Sequence, residues 1–555
     1  MGFVQRAAYF LGQEEDLTQR MKKLNAFLLS GLLLTEASGA RKFYDDDPLE
    51  REPAPRNAAN AARRKISDYF DFFQQSFAPP GEQHKPGKPI PAQAVNTLGE
   101  PMDSAWYTRR HYYVPMSLEA LVRGPRNGPA PSTSGKWRVV KAKSEGVTPG
   151  LEFIDSSNRR YVLKFDPLEF PEIATAPDVL VARFFHALGY WVPDNYIVHF
   201  TLDQLELSKD VKLVDAKGKE RLMTSRDLTE LLIRVPKDKD GRYRGGASLF
   251  LMGKPIGPYK YFGTRTDDPN DTVPHEHRRD LRGLSVFCAW LAHDDSRSIN
   301  SLDMIVEEGG VPHLRHHLLD FGSTLGSASY GPNSPRSGFE YLYDKGVIAR
   351  QFLTLGLWVP NWAKAEYPND PAVGRFESKR FDAAKWVAEY PNPAFTNRLP
   401  DDGFWAAKQV MAFTDEQIRA IVATGEYSRR ESADWIANAL IERRDKIGRA
   451  FFAMVLPLDR FSIAGEKLQF EDLAVTHKLR PGRAIQSVWS VFDNDTEQKK
   501  PLPQSESIPA GMVPVDGYLA CELTSSDPGD AGKSVTVYVR KLAAGLKIVG
   551  IDRKW

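Results

Sequence analysis

The sequence predicts an α+β protein of two lobes, with a polar N-terminal extension and a small C-terminal β-rich domain. Three observations carry this reading. From Lys136 onward, strand, loop, strand, turn and strand follow one another and lead into a helix. Residues 283–326 read as an apolar helix, a polar loop, a strand, a Gly-Gly turn and a second strand. From Leu456 strands take over, with strict alternation at Ser534-Val535-Thr536-Val537-Tyr538-Val539. The expected divisions are 1–40 (extension and leader), 41–135 (N-terminal extension), 136–255 (first lobe), 256–455 (second lobe) and 456–555 (β-rich domain).

Composition narrows the function classes. The chain has 555 residues, 42% hydrophobic and 11% aromatic, which is ordinary globular material and permits a sizeable core. Lys and Arg number 74 against 72 Asp and Glu, a balance that argues against a protein built on nucleic-acid binding. Two cysteines, Cys288 and Cys521, exclude a disulfide framework. Met21-Lys22-Lys23, an apolar run over 26–34 and Ser38-Gly39-Ala40 form the basic, apolar and small-residue parts of a secretory signal peptide. The run is too short to span a bilayer comfortably, so the mature chain is expected to be periplasmic or secreted with no transmembrane span. The alternative is an N-terminal buried or amphipathic helix. Either Met1 or Met21 can serve as the start.

Taken in order, 41–135 is polar and turn-rich. A helix is expected over 58–77, where Ile66, Tyr69, Phe70 and Phe73 recur at helical spacing before Pro79-Pro80-Gly81 stops it. The first lobe opens with Trp137-Arg138-Val139-Val140, the loop Gly146-Val147-Thr148-Pro149-Gly150, and strands at 151–155 and 161–165. A helix over 177–188 ends at Gly189. A strand is expected at 196–200, then an inserted segment over 201–245 with a short helix at 225–233. A buried strand over 247–252 precedes Gly253-Lys254-Pro255-Ile256-Gly257.

In the second lobe, Leu284, Phe287, Cys288 and Leu291 form one apolar stripe, which places Cys288 in the core. The next loop holds Asp294, Asp295, Arg297 and Asn300, with Asp295 and Asn300 in a D-x-x-x-x-N spacing. Asp320-Phe321-Gly322 follows the second strand. Phosphoryl transfer needs such a set: one carboxylate for the proton of the attacking hydroxyl, and an amide and a second carboxylate for the metal ions that neutralise phosphate charge. His275, His277, His313, His316 and His317 have ligand-like spacings, but no cysteine joins them and the first pair lies beside Arg278 and Arg279, which disfavours zinc. Firm helices are expected over 401–414 and 432–452.

These motifs resemble the catalytic core of atypical kinase-fold proteins: the HipA-like, phosphoinositide-kinase-like and CotH-like secretory kinases. The H-R-D signature of ordinary protein kinases is replaced by His293-Asp294-Asp295, and their G-x-G-x-x-G by the loop over 146–150. The resemblance implies a two-lobed protein-kinase-like fold and an ATP- and Mg- or Mn-dependent phosphotransferase or nucleotidyltransferase. It implies Asp295 as the catalytic acid or base, and Asn300 and Asp320 as metal ligands. Gly146, Gly150 and Lys164 would hold the nucleotide, with Asp178, or second Glu172, pairing with Lys164. Residues 253–257 would be the hinge beside an adenine, and 329–338 the activation or substrate segment. The acceptor, whether protein, lipid or glycan, is left open. The alternative is a pseudokinase or an envelope interaction or glycan-binding protein without catalysis.

Overall fold

The computed structural model describes residues 41–125, 127–142, 150–214 and 219–555. The signal-peptide reading over 21–40, and Gly146 with most of its loop, lie outside the described residues.

The N-terminal extension wraps the rest of the chain and contributes Trp106, Tyr107 and Leu121 to the main core. Its helix is shorter than expected: α1 spans Asp68–Phe77, and the hydroxyl of Ser67 caps it by accepting the Phe70 N–H. Residues 58–66 are non-helical because their amides bond elsewhere. Ala58 N–H donates to Pro312 O at 2.8 Å and Arg64 N–H to Ile256 O at 2.6 Å. The aromatic stripe is also not the buried face. Tyr69, Phe70 and Phe73 are 79%, 65% and 57% exposed, while Asp71 and Gln75 are buried. A second short helix, α2 (Leu118–Arg123), precedes the first lobe.

The small lobe is a six-stranded sheet. Its elements are β1 (Trp137–Ala142), β2 (Gly150–Ile154), β3 (Arg160–Lys164), α3 (Thr175–Ala187), β4 (Asn195–Phe200), β5 (Leu205–Leu207), the hairpin β6 (Lys212–Val214) and β7 (Glu220–Leu222), α4 (Ser225–Leu232) and β8 (Tyr243–Leu249). The strand order is β4-β8-β3-β2-β1-β5. All pairings are antiparallel except that of β5, which joins β1 in parallel, so the segment over 201–245 contributes to the sheet itself. One face is closed by Trp137, Phe153, Tyr161, Phe165 and Phe200, with the Trp137 and Phe153 rings stacked at 4.5 Å.

β8 ends at Leu249, short of the expected 252, and Met252 is 79% exposed. The chain then changes lobes. β9 (Lys254–Gly257) pairs with β10 (Ser301–Glu308), which pairs with β11 (Val311–Leu318). Residues 250–253 are therefore the link between the two sheets, with Gly253 at φ +109° breaking the extended run. This is the two-lobed, kinase-like architecture expected from the sequence.

The large lobe is built on α5 (Arg279–Leu291), where every residue is buried rather than one stripe alone. The other helices are α6 (Lys345–Leu353), α7 (Pro393–Thr396), α8 (Pro400–Met411), α9 (Asp415–Ala423) and α10 (Arg430–Phe452), of which α7, α8 and α10 pack on α5. The indole N–H of Trp290 donates to Leu440 O at 2.9 Å and pins α5 to α10. The C-terminal region comprises β12 (Leu458–Ala464), β13 (Lys467–Asp472), α11 (Leu473–Thr476), β14 (Ile485–Phe492), β15 (Lys499–Pro501), β16 (Tyr518–Ser525), β17 (Ser534–Leu542) and β18 (Gly545–Lys554). Its five-stranded antiparallel sheet runs β15-β14-β16-β17-β18. Phe43 packs into this sheet, 5.1 Å from the Tyr538 ring. Among the described residues no helix is long and apolar enough to cross a membrane.

The strap over 58–66 gives a direct test. Gly257 has φ +102°, and a Cβ there would lie 1.9 Å from Arg64 O. Gly263 has φ +62° with nothing within 4 Å of a Cβ. Gly257→Ala is expected to cost roughly 2–4 kcal/mol in urea melts, against about 1 kcal/mol for Gly263→Ala. Equal losses would show that the strap yields freely.

Candidate active site

Lys164 ends β3, and its two cross-strand partners are glycines, Gly150 on β2 and Gly246 on β8. Paired glycine neighbours leave space above the lysine stem and let α3 come close: a Cβ on Gly246 would lie 3.5 Å from Thr175 Cγ2. Gly150 is thus placed beside Lys164, while Gly146 lies outside the described residues.

α3 is fixed at its N-terminus by a residue the sequence reading passed over. The buried Asp166 carboxylate accepts the N–H of Ala174 at 2.8 Å and of Thr175 at 2.9 Å, and the Thr175 hydroxyl at 2.5 Å. These are the orphan donors of a helix start. Asp-Pro directly after a strand was the available signal. One turn on, Asp178 Oδ2 lies 3.5 Å from Lys164 Nζ. The second choice, Glu172, is turned away, and its carboxylate accepts the Ser428 N–H at 3.0 Å.

The third partner comes from the end of β11. Asp320 adopts the left-handed conformation, φ 59° and ψ 67°, and its Oδ1 accepts from Lys164 Nζ at 2.8 Å. The next amide, Phe321 N–H, donates to Asp178 Oδ1 at 3.0 Å. The Phe321 ring is buried and stacks on Phe185 of α3 at 5.2 Å. Burial pulls the Lys164 ammonium down, but Asp178 and Asp320 outweigh it and hold it above its ordinary value. Burial pushes the Asp178 carboxyl up, while Lys164 and the Phe321 amide pull it back.

The loop after α5 supplies the other side. Ala292 ends the helix in the left-handed region at φ 48°. His293 is buried against Phe185 and Phe321, and burial lowers it to about 4. Asp295 is paired with Arg297, which also meets Asp68 of α1 at 3.2 Å and Glu389 at 3.3 Å. Burial pushes Asp295 up to about 7, with Arg297 opposing and Asp294 and Glu389 adding to the rise. A carboxyl balanced near neutrality is suited to accepting a proton. Asn300 donates through Nδ2 to Asp295 O at 2.7 Å, which fixes its amide and leaves Oδ1 as the oxygen able to ligate.

Asp294 faces the opposite way. Its carboxylate accepts from Asn333 Nδ2 at 3.1 Å and from the Ser337 hydroxyl at 2.5 Å. It tethers the segment after Gly326 to the loop, so neither acid is a solvated surface group.

Lys164, Asp178, Asp295, Asn300 and Asp320 all line one cleft of about 160 Å³ between the lobes. Gly322 and the hydroxyl-bearing Ser323 and Ser329 complete its floor. The donor set aimed into it, a carboxylate and an amide oxygen, is all oxygen and suits a hard cation such as Mg²⁺ or Mn²⁺ that keeps water and phosphate ligands. The histidines serve elsewhere. His275 bonds Asp271 at 2.8 Å, and His316 bonds Asp303 at 2.7 Å while stacking on Trp106. Among the described residues no group of three or more His, Cys, Asp or Glu is placed to hold a metal ion.

No family model matches the sequence, and no curated protein matches it. Among solved structures the chain is similar to the proinflammatory kinase CtkA of Helicobacter pylori, with 11% identity over 57% of this chain and 95% of that one and a TM-score of 0.31. It is also similar to the Golgi casein kinase, at 9% identity over 58% and 74% of the two chains and a TM-score of 0.29. The same kinase with Mn and ADP bound gives 9% identity, 57% and 72%, and a TM-score of 0.28. The fold assignment here rests on strand order and the lobe link.

Truncating one partner of a buried ion pair leaves the other uncompensated, at a cost of about 3–5 kcal/mol. Asp320 still accompanies Lys164, so Asp178→Ala is expected to cost about 3 kcal/mol, much of it relieved by adding Lys164→Met. Additive losses in this double-mutant cycle would show that the two side chains do not interact.

Proposed function

We propose that this protein is an extracytoplasmic phosphotransferase or nucleotidyltransferase that uses ATP with Mg²⁺ or Mn²⁺ and acts on a hydroxyl of a protein, lipid or glycan. The observation that supports this best is the convergence of Lys164, Asp178, Asp295, Asn300 and Asp320 on one interlobe cleft. In this reading Lys164 contacts the phosphates, and Asp178 holds its ammonium in place. Asp295 takes the proton of the attacking hydroxyl. Asn300 and Asp320 hold the cation, which when bound neutralises the phosphates. Lys164 and Asp320, in contact at 2.8 Å, would meet the phosphates and the cation side by side.

Two variants test the cleft. Mg-ATP at 100 times its dissociation constant is expected to stabilise the protein by roughly 2.7 kcal/mol, read as a rise in Tm. Asp320→Ala should remove the metal-dependent part of that rise. Asp295→Asn keeps shape but removes basicity, so it should leave nucleotide binding nearly intact and lower transfer about 10²–10⁴-fold, followed with radiolabelled ATP. Binding without transfer in the unaltered protein would favour the non-catalytic reading, and no Tm shift with any nucleotide would end the nucleotide reading altogether.

The export part is tested separately. A fusion of residues 21–60 to a reporter is expected to be translocated and cut after Ala40. Mass spectrometry of the exported N-terminus decides it, since retained Met1 or Met21 excludes cleavage.

A further inference from the structure

The large lobe contains a second and larger cavity, about 390 Å³, that shares no lining residue with the interlobe cleft. It lies among the segment after Gly326, helix α6, the stretch over 358–386 and Arg443 of α10. Its size falls in the usual range of a small-molecule site.

Two of its polar groups are incompletely paired. Arg443 is 5% exposed, and its guanidinium donates to two backbone carbonyls, Ala289 O at 2.8 Å and Glu377 O at 3.3 Å. It is flanked by the rings of Phe381 and Phe376 at 3.9 and 4.5 Å. Its Nε has no hydrogen-bond partner, and among the described residues no carboxylate forms an ion pair with it. Burial holds Arg443 below its ordinary value, outweighing Glu377, a buried carboxylate that also lines the cavity and favours the charged guanidinium. Glu340, 7% exposed, meets Trp362 Nε1 and Arg336 through Oε1, while its Oε2 has no hydrogen-bond partner. Both side chains line the cavity, while Arg443 Nε and Glu340 Oε2 themselves are closed off by their neighbours.

The walls say what lies between them. Trp358, Trp362 and Trp386 all line the cavity, and Arg350 lies over the Trp358 ring at 5.1 Å. Indole faces stack against the C–H face of a sugar ring and still tolerate its hydroxyls. A carboxylate or phosphate on the ring would meet the Arg443 guanidinium in a charge-assisted contact. A ring hydroxyl would donate to Glu340.

We propose that this cavity is a binding site for an acidic sugar unit, a hydroxylated ring carrying a carboxylate or a phosphate. The site is independent of the nucleotide reading. A mechanical link joins it to the cleft: Ser337 lines the cavity and donates to Asp294 beside Asp295.

The full chain is titrated, without nucleotide or metal, by tryptophan fluorescence. The probes are glucuronate, glucose 6-phosphate, glucose and inorganic phosphate. Saturable binding of glucuronate or glucose 6-phosphate is expected, at least tenfold tighter than glucose or inorganic phosphate. The charged probe that binds identifies the acid as carboxylate or phosphate. Arg443→Gln should weaken that probe at least tenfold. Because Arg443 also holds two backbone carbonyls, Trp358→Ala at the half-buried wall is measured in parallel, with the same expected loss. Absence of saturation by both charged sugars, equal affinity for glucose, or unchanged affinity in a folded variant of either residue would overturn the proposal.

Discussion

Between β3, α3 and the turn after β11, one ammonium meets two carboxylates. Lys164, Asp178 and Asp320 come from three parts of the chain, and the lysine joins all three elements at once. The Phe321 amide closes the ring by bonding to Asp178, and the Phe321 side chain slots under α3. Helix, sheet and turn are therefore positioned by charge and packing together. A shift of α3 would strand a buried carboxylate and open an apolar gap in the same movement, and both are costly. The site's geometry is stiff because two unlike interactions fail together.

Much of the fold was legible in the sequence, and the reasons for the exceptions are physical. Alternation gave β3, and spacing gave α3 and α5 to within a few residues, since local periodicity reports local burial. Lys164, Asp178, Asp295, Asn300 and Asp320 line one cleft, and Asn300 and Asp320 are joined by one short hairpin whose register pairs Ser301 with Leu318. What stayed hidden was non-local. Tyr69, Phe70 and Phe73 have the spacing of a buried stripe, yet the face that is buried carries Asp71, which accepts from the Tyr390 hydroxyl at 3.1 Å. Residues 58–66 have helix-compatible composition, but strand edges about two hundred residues away claim their amides. Asp166, which no helical spacing marks, accepts the first amides of α3 from eight and nine residues away. Periodicity cannot report a partner far along the chain.

The large lobe also buries an unusual amount of paired charge. Arg279 meets Asp401 and Asp402, Arg282 meets Asp402, and Arg278 meets Asp280. Such pairs add little net stability, since desolvation offsets much of their attraction, but mispairing any of them would be expensive. They act here as keys that accept only one packing of α5 against α8. Asp294 plays a similar part at the loop, where its bonds to Asn333 and Ser337 leave one path for the chain beyond Gly326.

The extension's grip on the loop around Asp295 has a consequence for how the molecule assembles. Asp68 braces Arg297, Asp71 is bonded from Tyr390, and Phe43 is seated among β-strands near the other end of the sequence. On a ribosome, residues 41–77 emerge long before any of these partners. Their contacts span hundreds of positions, and closing such long loops is slow compared with forming the helices and hairpins of either lobe. The lobes can condense first, and the strap that precedes them is then laid across the finished surface. The segment synthesised early is the one placed late, so the loop bearing Asp295 acquires its final shape only after Glu389 and Tyr390 have been made.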